Sequence, residues 1–288
     1  MTPSRAAGAC ALTVAGSDSG GGAGVQADLS AFAAQGVWGL SALTALTAQT
    51  FDVVDAVHPV PPTFLGAQLD ALAKGFRIGA LKTGMLWSAS HIDAFLAHAP
   101  PACPWVVDPV MVATSGARLV AEDALARYRQ ALLPRAALIT PNLDEAWLLL
   151  GDGVERGHGA TAWSPEALRA LAERLRDRFK TAVLLKGGHR YGDPIDTLAT
   201  GHGLRQWTHA RQQGVHAHGS GCRLSAAICA GLARGLSLED AVEHGLLWLQ
   251  QAFRTPLTLA PPAPERVLSW PSAPGVRTAA VPLDSRTK

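Results

Sequence analysis

The sequence predicts an α/β fold with a mostly parallel central sheet covered by helices on both faces. Strand-like and helix-like segments alternate along nearly the whole chain. The predicted strands are short apolar runs, as expected of strands buried on both sides. The chemically distinctive residues fall at the carboxyl ends of those strands, where such sheets bind ligands. With 288 residues, 48% hydrophobic and 17% charged, the chain can bury a large core. No repeat or linker divides it, so residues 1–254 are read as one domain. The tail, 255–288, carries seven prolines and little periodicity, and is expected to wrap the surface or be disordered.

Composition narrows the partners. The formal charge is +2, and no cluster of lysines and arginines marks a nucleic-acid face. Small molecules fit better. Cys10, Cys103, Cys222 and Cys229 lack framework spacing, which points to a reducing cytoplasm. The apolar start is short and broken by Gly8 and Gly16, unlike a signal peptide. Leu29 to Phe51 holds no charge, but Gln35, Gly36, Gly39 and Gln49 interrupt it, so it reads as buried helix then buried strand rather than a membrane span.

A first strand, Cys10 to Ala15, runs into the glycine-rich loop Ala15–Gly24. A helix follows, with Val25, Leu29, Phe32 and Ala33 on one face. The loop matches neither a dinucleotide fingerprint nor a P-loop. Strands are expected from Val37 to about Leu46 and from Val53 to Val57. A helix opened by Pro61 and Pro62 carries Leu65, Leu69 and Leu72 at helical spacing. Next come a strand from Ile78 to Lys82, ending in Thr83-Gly-Met85, a helix over 91–98, and a strand from Trp105 to Asp108 closed by Pro109. A flexible stretch, Thr114 to Ala117, precedes a helix from Glu122 to Leu133 and a strand over 137–140. Pro141 to Glu145 opens a helix toward Leu150. A loop over 151–164 and an amphipathic helix over 165–179 lead to a strand from Ala182 to Lys186, then Gly187 and Gly188. Weaker strands over 195–199 and 204–208 precede Gly214-Val-His-Ala-His-Gly-Ser-Gly-Cys222 and a small-residue helix over 223–234. A last helix follows Ser237, with Asp240 three residues on in a loose capping pattern.

Gly219, Ser220, Gly221 and Cys222 meet a helix start. Glycine admits close backbone approach, and first-turn amides lack intrahelical acceptors, so the turn reads as an anion cradle; a plain tight turn with a packed cysteine fits the same residues. Lys186 is a strand-end cation suited to phosphate oxygens. Asn142 and Glu145 form either a helix cap or an oxygen pair that holds magnesium through water, with Asp108 as a third acidic contributor or a turn former. His216 and His218 suggest a metal pair without further ligands at suitable spacing. A Cys222–His218 hydrolase is a rival reading, but lysine, Asn-x-x-Glu and glycine turns describe phosphoryl transfer more economically.

From about Leu12 to Leu249 the chain resembles the hydroxymethylpyrimidine and phosphomethylpyrimidine kinases of the ribokinase-like superfamily. The motifs are Ala15-Gly-Ser-Asp-Ser-Gly-Gly-Gly-Ala-Gly-Val-Gln-Ala-Asp28, Thr44-Ala-Leu-Thr-Ala-Gln49, Lys82-Thr-Gly-Met85, Val107-Asp-Pro-Val-Met111, Thr140-Pro-Asn-Leu-Asp-Glu145, Leu185-Lys-Gly-Gly-His189 and His218-Gly-Ser-Gly-Cys222. The resemblance implies a three-layer αβα sandwich, ATP and Mg2+, a pyrimidine held near Gly16, Asp28, Gln49 and Met85, and ATP across Asn142, Glu145 and Lys186. It implies magnesium near Asp108 and Glu145, the transferred phosphoryl at Gly219–Cys222, Cys222 as base or proton-handling residue, and a homodimer. A helix N-terminus would lower the Cys222 thiol pKa. Ser220 stands where threonine is usual. Arg223 replaces a small hydroxyl residue, which puts a cation at the rim of the phosphate site, and the flap near Thr114 lacks a lysine often found there. The alternatives are a pyridoxal kinase, though Ala113 to Leu119 holds no second cysteine, and a non-catalytic binding protein.

Overall fold

The computed structural model describes residues 8–100, 102–111, 122–151, 164–188 and 192–272; the expected flap at 113–119 lies outside them. Its main sheet contains β1 (Cys10–Ala15), β2 (Trp38–Leu43), β5 (Ala80–Thr83), β6 (Trp105–Val107), β7 (Leu138–Ile139), β8 (Ala182–Leu185), β9 (Ile195–Thr200) and β10 (Gly203–Thr208). The spatial order is β10-β9-β8-β7-β6-β5-β1-β2. Pairing is parallel from β2 to β8, and β9 and β10 extend the sheet antiparallel.

Side-chain alternation along the strands feeds two cores. Leu12, Val14, Val107 and Ile139 face one layer, made by α2 (Pro62–Gly75), α3 (Ala89–His98), α4 (Glu122–Arg127), α5 (Leu143–Leu150) and α6 (Pro165–Phe179). Ala11, Val106, Leu138 and Leu184 face the other, made by α1 (Gly24–Ala34), α7 (Ser220–Ala233) and α8 (Leu238–Arg254). The result is the three-layer αβα sandwich that the resemblance implies. No helix among the described residues is long and apolar enough to cross a membrane.

The expected strand from Val37 to Leu46 divides at Thr44. There the buried hydroxyl donates to the Met85 carbonyl (2.7 Å), and the backbone bonds to Ala15 on one side and Val60 on the other. The chain therefore leaves the main sheet, and β3 (Ala45–Gln49) pairs with β4 (Val54–Pro59) as a separate antiparallel hairpin. The expected helix from Glu122 to Leu133 keeps its path but widens into a π turn over Tyr128–Leu132 and tightens into a 3-10 turn over Leu133–Arg135. Helix α7 starts at Ser220, three residues earlier than expected, so Cys222 lies in its first turn.

Part of the tail packs on the domain. β11 (Leu257–Thr258) pairs with β12 (Arg266–Val267), Val267 and Leu268 are buried, and the Trp248 indole donates to the Pro271 carbonyl (2.6 Å).

The topology positions the site. From β1 the chain steps to β2 on one side, and later to β5 on the other, so the sheet opens a crevice at the carboxyl ends of β1 and β5. Register lines up the strand ends: Val14 sits beside Thr83, Thr83 beside Val107, and Val107 beside Ile139. Asn142 bridges to Lys186.

Candidate active site

Above those strand ends lies a cavity of about 760 Å³. Gly16, Gln49, Met85, Asp108, Asn142, Glu145, Lys186 and the whole Gly219–Cys222 turn line it, so one space gathers these expected residues from seven separate segments. The cavity also extends to Pro194, Arg211, Gln212, Leu249 and Phe253. None of these last residues belongs to a motif visible in the sequence; only the fold brings them to the cavity.

The anion turn is built by close backbone packing. Gly219 adopts φ +73°, and a Cβ there would collide with the Gly22 carbonyl, so only glycine permits the contact. The turn then enters α7; the Ser220 amide is taken by the Ala217 carbonyl (3.0 Å) and the Arg223 amide by the Gly219 carbonyl (3.0 Å), which leaves the Gly221 and Cys222 amides at the helix start without intrahelical acceptors. Gly16 plays a similar part on the facing wall, where an added Cβ would approach the Met85 methyl to 2.5 Å.

Two buried ion pairs lie under the turn. Lys186 Nζ is 2.8 Å from Asp108 Oδ1 and 3.8 Å from Glu145 Oε2. Burial opposes the charge on Lys186, but Asp108 and Glu145 outweigh it and hold the pKa above its ordinary value. Asp108 also accepts from Thr140 (3.1 Å) and Ser225 (3.3 Å). Deeper, Lys82 Nζ meets both oxygens of Asp28 at 2.8 Å, and the Thr13 hydroxyl donates to Asp28 at 2.6 Å. Burial opposes the Lys82 charge as well, but Asp28 holds it protonated.

That arrangement changes the reading of Asp28. The residue is fully buried and does not line the cavity, and its carboxylate is occupied by Lys82 and Thr13. It anchors Lys82, which does reach the cavity wall. Sequence reasoning missed Lys82 as a site residue, although it opens the Lys82–Met85 motif.

Asn142 and Glu145 form a capping box. The Asn142 side chain accepts from the Glu145 amide (2.8 Å), and Glu145 Oε2 accepts from the Asn142 amide (2.7 Å). Glu145 is nevertheless at the cavity wall, where burial, opposed by Lys186 and reinforced by Asp108, pushes its carboxyl up to about 7. No group of three or more acidic, histidine or cysteine side chains able to hold a metal occurs among the described residues. Asp108 and Glu145 alone suit an ion that keeps much of its water shell and shares phosphate oxygens.

Cys222 also differs from expectation. The helix N-terminus favours a thiolate, but burial dominates. Lys82 opposes that effect while Asp28 and Asp108 add to it, and the thiol is pushed up to about 11. Arg223 points away from the cavity altogether. It is 2% exposed and lies under the Trp270 ring, 4.8 Å from its centroid, so it adds no rim cation; it joins the C-terminal segment to α7.

His218 is a cavity residue rather than half of a metal pair. Its Nε2 lies 3.1 Å from Asp18 Oδ2 and 3.4 Å from the Gln49 amide nitrogen. His216 instead meets Asp52 on the hairpin turn at 3.2 Å.

Comparisons with known proteins agree with this geometry. Residues 18–262 match the phosphomethylpyrimidine kinase family model. The hydroxymethylpyrimidine/phosphomethylpyrimidine kinase of Rhizobium meliloti is 42% identical over 85% of this chain and 90% of its own. The thiamine biosynthesis bifunctional protein ThiED of Geobacter sulfurreducens is 42% identical over 84% of this chain, which spans about half (49%) of that longer protein. Among solved structures, the pyridoxal kinase from Staphylococcus aureus in complex with pyridoxal superposes with TM-score 0.78 at 29% identity, covering 94% of this chain and 96% of that one. Fold, cavity and sequence therefore converge: the chain belongs to the phosphomethylpyrimidine kinase family.

Proposed function

We propose that the protein transfers the γ-phosphoryl group of ATP to 4-amino-5-hydroxymethyl-2-methylpyrimidine, and then to the resulting monophosphate, to give the diphosphate in thiamine biosynthesis. The observation that carries this reading is the position of the Gly219–Cys222 turn. It lies in one continuous cavity with Gly16, Gln49 and Met85, which suit a small heteroaromatic ring, and with the extension to Pro194 and Phe253, which would take the nucleotide.

In each step the substrate oxygen forms a bond to the γ-phosphorus, the bond from that phosphorus to the β-bridging oxygen breaks, and ADP leaves. The Gly221 and Cys222 amides of α7 and the Lys186 ammonium face the charge on the transferred group. Asp108 orients Lys186, and Lys82, held by Asp28, adds positive charge from beneath. A thiol pushed up to about 11 is mostly protonated near neutrality, so positioning and charge neutralisation carry most of the rate. In the first step the alcohol proton passes to Cys222 in its small thiolate fraction and otherwise to an oxygen of the transferred phosphoryl group; the monophosphate oxygen of the second step carries no alcohol proton. Asp108 and Glu145 would hold Mg2+ through water, and the ion would neutralise phosphate charge. The family resemblance supports a homodimer, and the free state of all four cysteines fits a cytoplasmic location.

The test is ATP-to-ADP conversion with hydroxymethylpyrimidine, its monophosphate and pyridoxal side by side, with Cys222→Ala as control. Turnover of both pyrimidines is expected, with a loss in the variant well below the roughly 100-fold that removal of a working base costs. The likeness to a pyridoxal kinase structure favours pyridoxal as the second candidate: turnover of pyridoxal alone reassigns the enzyme to vitamin B6 salvage. Silence on all three overturns the kinase reading in favour of a binding protein.

A further inference from the structure

The established site leaves one buried group unexplained. His218 is 7% exposed and comes immediately before the anion turn. Its ring touches two segments remote in sequence, the glycine-rich loop and the hairpin. Asp18, 200 residues away, supplies a carboxylate oxygen at 3.1 Å. Gln49 brings its amide to 3.4 Å, and Phe51 sets an aromatic edge against the ring at a centroid distance of 5.8 Å. Gly22 must lack a side chain, since a Cβ there would come within 2.5 Å of His218 Cδ2.

Proton bookkeeping fixes the arrangement. Asp18 is itself buried, which opposes its charge. The bond from His218 and the amides of Ala23 (2.7 Å) and Gly20 (2.8 Å) outweigh burial and hold its carboxyl below the ordinary value. An ionised carboxylate only accepts, so His218 Nε2 must carry the proton and donate it to Asp18. The Gln49 amide nitrogen is a donor and cannot bond to that N–H. The single proton of the Thr47 hydroxyl goes to the Ser17 carbonyl (2.8 Å), so the Gln49 amide is satisfied in the opposite orientation, its nitrogen donating to Thr47 and its oxygen facing the His218 N–H. Nδ1 is buried without a hydrogen-bond partner among the described residues.

We infer that His218 is a positioning residue, which acts through Asp18 to lock the Gly219–Cys222 turn against the glycine-rich loop. The inference rests on the kinase reading. A displacement of about 1 Å at a reacting centre costs on the order of 100-fold in rate. Loss of the lock accordingly lowers kcat far more than it weakens resting nucleotide binding.

The experiment uses the full chain and the variants His218→Ala, His218→Gln, Asp18→Asn and the Asp18→Asn/His218→Ala double. It measures kcat and KM for hydroxymethylpyrimidine, ADP affinity by calorimetry, and melting temperature. Expected are a fall in kcat of about 100-fold for His218→Ala and Asp18→Asn, with ADP affinity within about threefold of wild type. The double variant is no worse than either single. His218→Gln, which keeps a donor near the Nε2 position, recovers at least about tenfold of the loss. Three results overturn the inference: kcat of His218→Ala within threefold of wild type, additive losses in the double variant, or a His218→Gln protein as impaired as His218→Ala. If His218→Ala does not fold, Asp18→Asn and His218→Gln decide by the same criteria. Wild type inactive on every pyrimidine would instead overturn the kinase reading beneath it.

Discussion

Cys222 and Lys82 show how burial sets chemistry at the scale of single residues. The Cys222 thiol, pushed up to about 11, is expected to react slowly with iodoacetamide near neutrality, with a rate that keeps rising beyond pH 9. A plateau below pH 8 would show a stabilised thiolate and return Cys222 to the role of a working base. Linkage gives the matching stability effect. The native state binds this proton more tightly than the unfolded chain, so the contribution is complete below about pH 9 and is lost as pH rises through about 11. Lys82→Met leaves Asp28 buried without its cation, and a loss of about 3–5 kcal/mol is expected in urea unfolding. A loss below about 1 kcal/mol would mean that the pair is dispensable.

At this scale the sequence was an uneven guide. Glycines, Lys186 and Cys222 announce themselves because few residue types suit an anion turn. The role of Asp28 does not, because an aspartate in a helix reads the same whether it faces a ligand or a buried lysine from β5, 54 residues away. Arg223 misleads for a related reason: its neighbours in sequence lie at the phosphate site, but one residue along a helix turns a side chain by about 100°.

Among the elements, α5 carries both readings of its start. The capping box is formed, so Asn142→Ala is expected to cost about 0.5–2 kcal/mol of stability. If the box is its whole role, the KM for ATP stays within about twofold; a rise of tenfold or more assigns Asn142 to nucleotide binding as well. Apolar periodicity revealed nearly every helix and strand in order. It could not reveal that β3 and β4 leave the main sheet, because that departure depends on the Thr44 hydroxyl finding the Met85 carbonyl, a contact between segments 41 residues apart.

On the scale of the whole molecule, the C-terminal segment packs on the domain through Val267, Leu268 and Pro271. Trp270 covers the Arg223 guanidinium, whose Nε and Nη1 have no hydrogen-bond partner among the described residues, and burial lowers that group to about 10. Trp270→Ala is expected to destabilise the protein by about 2 kcal/mol, the scale of a desolvated cation–π contact. Truncation after Thr255, which also uncovers Trp248 and removes Leu268, is expected to lower the melting temperature further. An unchanged melting temperature in the truncated chain would show that the segment only rests on the surface. Its many prolines suggested a wrap, but its partner could not be read from them.

The contact of Gly219 with Gly22 joins parts of the polypeptide that are made far apart in time. Loop closure over such a span is entropically costly, and it is completed only when α7, which begins at Ser220, docks against β1 and β5. A chain released early from the ribosome, or halted part-way through refolding, would carry most of its helices and strands yet have no place to hold a phosphoryl group. Catalytic activity should therefore return only with the slowest refolding phase, after far-ultraviolet circular dichroism has recovered, which makes enzymatic turnover a stricter measure of completed folding than secondary structure.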